Sequence, residues 1–133
     1  MKIIAVSDLH GKFPEIPKCD VLVVAGDLCP DGFGRVWARD APQRQKNWFE
    51  DTFLPWVKRQ PATHILLTWG NHDYCGHLYP SGVTVLGGLN EKLVVDDSVT
   101  IRGVKFWLTP WSNQFMDWAW MKPHEELAEV YAK

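Results

Sequence analysis

The chain has 133 residues, 46% hydrophobic and 23% charged, and 14 Lys and Arg against 16 Asp and Glu leave a net charge of −2. That length suits a single domain, 1–133, too apolar to be disordered, and no basic excess is present to hold a nucleic-acid backbone. Apolar runs of four or five residues fall short of the about 20 that a spanning helix needs, and Met1–Asp8 is too short for a signal peptide's apolar core. The expectation is a cytoplasmic protein with no membrane partner.

Three apolar, β-branched runs come first. Lys2–Val6 leads into Ser7-Asp8-Leu9-His10-Gly11, Val21–Ala25 into Gly26-Asp27, and Ile65–Thr68 into Trp69-Gly70-Asn71-His72-Asp73. Each reads as a strand buried on both faces, and such strands are usually parallel. Every polar cluster therefore falls at a strand's C-terminal end, the edge at which open α/β sheets bind ligands. Gly26–Arg39, with Pro30, Gly32 and Gly34, reads as a loop.

Pro42–Gln60 places Phe49, Phe53, Trp56 and Val57 at helical spacing, with Pro42 in the first turn and Pro55 expected to kink or split the helix. This helix completes a crossover between parallel strands. A short strand, Val83–Leu86, follows. Lys92–Asp96, Val99–Ile101 and Val104–Thr109 then read as a meander beginning a second sheet, with turns at Asp97-Ser98 and Arg102-Gly103. Pro123–Lys133 reads as a helix with Leu127, Val130 and Tyr131 as its stripe. The fold class is α/β, a mostly parallel sheet flanked by helices.

Asp8, His10, Asp27, Asn71 and His72 supply hard oxygen and imidazole donors of the kind that suits Mn, Fe, Zn or Mg ions. A Gly-Asn-His-Asp tetrapeptide arises by chance on the order of once in a few thousand chains of this size. An Asp on the middle strand is placed to bridge two metals, and a nearby non-ligand His can protonate a leaving oxygen.

D-x-H, then G-D, then G-N-H-D, each after an apolar strand, resembles the calcineurin-like metallophosphoesterases. The resemblance implies a two-sheet α/β sandwich, four layers deep, and two divalent ions (Mn, Fe, Zn, Ni or Mg). It implies metal ligation by Asp8, His10, Asp27 and Asn71, with Asp27 bridging, and a catalytic role for His72 near the scissile phosphate. Asp73 occupies the acidic position after it and is read as orienting the site. Leu108-Thr109-Pro110-Trp111 is similar to a strand-end motif of some phosphodiesterase-like members. The implied reaction is attack of a metal-activated water on a small phosphoester or nucleotide.

Two departures qualify that picture. The second motif, Gly26-Asp27-Leu28-Cys29-Pro30-Asp31-Gly32, lacks the Asp-Arg-Gly of protein phosphatases. The family's later isolated His and G-H-x-H have no counterpart, since residues 74–133 contain only His77 and His124. The expectation is thus an incomplete domain with an uncovered sheet edge, completed by a second copy or a separate C-terminal piece. The alternative function is a catalytically impaired remnant acting as a weak metal binder or interaction module.

His77 follows the third motif closely enough to line the site as a substrate contact or replacement ligand, against the default of a solvated loop histidine. His64 precedes its strand and lies at the far edge, while His124 opens the last helix. Cys19, Cys29 and Cys75 lack a disulfide or CxxC pattern and read as reduced, packed thiols. Trp111, Phe115, Met116, Trp118 and Trp120 form a late aromatic cluster, which either packs or lines a pocket for a nucleoside or aryl group. A Rossmann nucleotide site is excluded, because no GxGxxG follows a strand.

Overall fold

A computed structural model describes residues 1–33, 39–79 and 81–132. Part of the expected loop Gly26–Arg39, including Gly34, and the last residue of the expected tail helix, Lys133, lie outside them.

The strands β1 (Ile3–Val6), β2 (Cys19–Ala25) and β3 (Ala62–Thr68) form as their β-branched content dictates and pair in parallel. With β4 (Gly82–Val85) and β5 (Glu91–Val95) they make one five-stranded sheet in the order β1-β2-β3-β5-β4, in which β4 alone runs antiparallel. Side chains alternate across the sheet. Leu22, Val24, Ile65, Leu67, Leu93 and Val95 enter the larger core beneath the helices, while Val21, Leu66 and Val94 enter a smaller core on the opposite face. β5, with Leu93, Val94 and Val95 buried, is thus a strand of the main sheet, which corrects its expected place in the meander.

The corner is made by Asp96. Its left-handed backbone (φ 52°) ends β5, and β6 starts at the next residue, so Asp97-Ser98 is strand rather than turn. Asp96 accepts hydrogen bonds from Thr109 Oγ1 (2.6 Å) and Trp111 Nε1 (2.8 Å), which fixes the corner. The hairpin of β6 (Asp97–Ile101) and β7 (Val104–Leu108) turns at Arg102-Gly103, as its residues require, and closes the smaller core with Val99, Ile101 and Leu108.

The crossover helix begins as α1 (Ala41–Trp48), widens into a π turn over Phe49–Phe53, and resumes as α2 (Leu54–Val57). The π turn lets Pro55, which has no N–H to donate, sit in the first turn of α2. Phe49 and Phe53 are fully buried. The β1–β2 connection has no helix; its Phe13 ring stacks on Trp48 and Trp56 at 6.2 and 5.3 Å. After the hairpin come the short strands β8 (Ser112–Asn113) and β9 (Met121–Lys122), paired in parallel, and α3 (His124–Tyr131). Of the stripe expected on α3, Leu127 is buried and Tyr131 is exposed, its hydroxyl donating to Trp111 O at 2.7 Å. One edge of the main sheet is β1, with Ile3 and Ala5 exposed. Among the described residues no helix is long and apolar enough to cross a membrane.

Candidate metal centre

The first two polar clusters meet because their loops are laced together by backbone hydrogen bonds. Asp8 N–H donates to Gly26 O (3.2 Å), His10 N–H to Asp27 O (2.8 Å) and Gly11 N–H to Leu28 O (2.9 Å). Asp8, His10 and Asp27 all have left-handed backbones, at φ 55°, 44° and 51°. Such conformations cost non-glycine residues about 1–2 kcal/mol each, and here three of them aim donors at one place. Gly70 makes the approach possible: a Cβ there would collide with the backbone N and Oδ1 of Asp27. Gly70→Ala is therefore expected to lower the melting temperature and to displace Asp27. A melting curve and a metal titration check both effects, and a variant unchanged in both would contradict this reading of the contact.

Asp8, His10 and Asp27 each bring one donor atom within 4.8 Å of the others. His10 Nε2 lies 3.8 Å from Asp27 Oδ2, while Asp27 Oδ1 accepts the His72 N–H at 2.9 Å. Ser7 Oγ donates to Asp8 Oδ2. Asn71 lines the same cleft, of about 370 Å³, together with Asp8, Asp27 and Thr109. Thr68 lines it too, and its buried hydroxyl has no hydrogen-bond partner among the described residues.

Asp31 joins the group, a part that sequence reasoning did not give it. Its Oδ1 lies 2.9 Å from His10 Nδ1 and 3.1 Å from His72 Nδ1, and the two imidazoles stand edge to face at 5.0 Å. With His10 Nδ1–H donating to that oxygen, its Nε2 lone pair is left to face Asp27, while His72 Nδ1 stands within ion-pair distance of the same carboxylate. The available signal was Asp31 itself, at a Pro-Asp-Gly turn four residues after Asp27.

Asp73 is fully buried. Its carboxylate accepts from Leu28 N–H (3.0 and 3.1 Å), Cys29 N–H (2.9 Å) and Gly70 N–H (2.8 Å), so it ties the second cluster to the third. Burial pushes its pKa up to about 6 against the opposing pull of those N–H donors. Gln45 on α1 grips the far side of the same loop. It donates to His72 O at 2.9 Å and accepts from Cys75 N–H at 3.0 Å, and it is 2% exposed. Its position four residues before Phe49, in line with the apolar stripe, was the overlooked signal. Gln45→Leu leaves that carbonyl and that N–H without partners, and we expect a loss of about 2–3 kcal/mol in urea unfolding. A change within about 0.5 kcal/mol would show the grip to be incidental.

The family model of the calcineurin-like phosphoesterases matches residues 1–111. The chain belongs to the calcineurin-like phosphoesterase family. It is by that membership a metallophosphoesterase, a hydrolase of phosphoester bonds that depends on divalent metal ions. No curated protein matches it.

The donor set suits the ions this family uses: carboxylates and imidazole within one coordination sphere's span, beside an unpartnered hydroxyl. Among the described residues, His77, His64, His124, Cys29 and Cys75 are not members of the candidate ligand groups. His77 lies on a 3-10 turn (Tyr74–Leu78) and stacks on Trp120 at 4.4 Å, and burial lowers its pKa. His64 is on β3 opposite Val21, and His124 is the exposed first residue of α3. Cys29 and Cys75 are buried, with sulfurs 3.9 Å apart, and the Cys29 thiol is pushed strongly upward by its hydrogen bond to Cys75 and by burial. A thiol so disfavoured as thiolate is a poor nucleophile or ligand.

Proposed function

We propose that this phosphoesterase hydrolyses the phosphoester of a small molecule or nucleotide, a diester in preference to a phosphoprotein, with Asp8, His10, Asp27 and Asn71 holding the metal and His72 serving the leaving group. The observation that carries the reading is the convergence of Asp8, His10 and Asp27 donors beside His72 at the C-terminal edge of the sheet. What divalent ions supply at such a donor set is neutralisation of phosphoryl charge and a water of lowered pKa.

The protein's own groups do the rest. Asp31 holds His72 through Nδ1, which leaves Nε2 directed away from that carboxylate, and a proton carried there can pass to the departing oxygen. The same carboxylate orients His10. Asp73, buried behind the loop, keeps the second and third clusters in register. The small-molecule preference follows from the net charge of −2, which offers nothing to a polyanion.

The test is hydrolysis of an aryl phosphodiester with Mn²⁺, alongside calorimetric titration of Mn²⁺ into the metal-stripped protein. Turnover that disappears with chelator, and tight Mn²⁺ binding, are expected. Turnover no greater than that of the Asp27→Asn variant would overturn the reading.

A further inference from the structure

Trp118 stands beside His72, its ring 4.6 Å from the imidazole and tilted by 50°. It lies outside the residues matched by the family model, on the segment between β8 and β9. That segment is firmly held. Ala119 N–H donates to Asn71 O (3.0 Å), Ser112 N–H to Trp120 O (2.9 Å) and Gln114 N–H to Lys122 O (3.0 Å). Trp120 is buried, edge-on to Trp111 at 5.2 Å, with Nε1 donating to Asp73 O at 3.3 Å. Met116 and Trp120 adopt left-handed backbones, φ 53° and 52°, so the segment holds its shape against local preference.

The packing in this segment is supplied by Ala119 and Trp120. Trp118 differs from them: it is half-buried, with Phe115 edge-on to it at 5.1 Å. Phe115 is 54% and Met116 69% exposed, and an open cavity of about 430 Å³ runs along Met116, Trp118 and Met121. An anchored aromatic side chain next to the imidazole, bordered by exposed apolar groups, is what recognition of a flat ring requires.

The geometry points to Trp118, with Phe115, as the specificity-determining platform on which an aromatic ring of the substrate, a nucleobase or aryl group, packs while its phosphoester lies at His72. The inference rests on the phosphoesterase reading and names its substrate class. The ring meets Trp118 face on or offset, and Phe115 closes one side. A purely aliphatic ester reaches the same phosphate position without this contact.

The experiment compares benzylphosphonate with ethylphosphonate, which are not hydrolysed, by calorimetric titration into the Mn²⁺-loaded protein. Wild type is expected to bind the benzyl compound about tenfold more tightly. Trp118→Leu should reduce that preference to about twofold or less, whereas Trp118→Phe should retain most of it. Phe115→Ser, at an exposed position, should weaken the preference by about threefold. A wild type without ring preference, or a preference intact in Trp118→Leu or in Phe115→Ser, would overturn the inference. Ethylphosphonate binding and metal-dependent turnover without ring preference would leave the phosphoesterase reading standing. Binding of neither phosphonate, with no turnover, would remove both.

Discussion

Asp27→Asn is expected to reduce metal-dependent phosphoester hydrolysis by about a thousandfold or more while the protein stays folded. The substitution keeps shape and removes charge. Oδ1 of Asp27 accepts the His72 N–H, a bond that an amide oxygen reproduces, so the loop carrying His72 has reason to stay in place. The other oxygen faces His10 Nε2 at 3.8 Å, and there an amide offers a neutral atom or an N–H in place of a carboxylate oxygen. Cation binding should suffer most. Near-normal melting, weak Mn²⁺ binding by calorimetry and loss of turnover form the expected set. Full Mn²⁺ affinity in this variant would show that Asp27 does not serve the ion.

The second large effect falls on stability. Asp73→Ala removes the acceptor for the N–H groups of Leu28, Cys29 and Gly70 at a fully buried position. A loss of about 3–5 kcal/mol is expected from urea unfolding, with metal binding impaired because two donor loops lose their tie. Asp73→Asn turns one oxygen into a donor facing donors and should cost about 2 kcal/mol.

The pH dependence has a definite sign. The folded-state pKa of Asp73 is raised to about 6 from 3.8, so the folded protein binds this proton more tightly than the unfolded chain. The resulting stabilisation is complete below 3.8 and lost as pH rises through 6, a change of about 3 kcal/mol. The stability gap between wild type and Asp73→Asn should therefore widen as pH falls from 7 towards 4. A gap that stays constant or narrows would show that the donors around Asp73 outweigh its burial.

Much of the main sheet was legible from β-branched runs ending in polar clusters, because a strand buried on both faces leaves a continuous apolar signature. β5 carried that signature in Leu93-Val94-Val95, yet the nearby β6 and β7 made a meander the simpler reading. What separates β5 from them is one left-handed residue, Asp96, held by Thr109 and Trp111 from further along the chain. A turn stabilised by distant partners leaves little local trace. The π turn before Pro55 was half legible: proline announces an interruption but not the helical form it takes.

The candidate centre divides in the same way. The order D-x-H, G-D, G-N-H-D, and with it family membership and the nature of the donors, was determined by the sequence alone, since each motif is local and each follows its own strand. Tertiary structure decided which donors meet and how they are aimed. It brought Asp31 between two imidazoles, set Gln45 behind the His72 loop, tied Asp73 to the Leu28 backbone, and stood Trp118 against His72. Those contacts join residues 21 to 46 positions apart, through loops in left-handed conformations that local preference opposes. They exist because three parallel strands in register bring their ends together, and packing across the whole sheet offsets the strain.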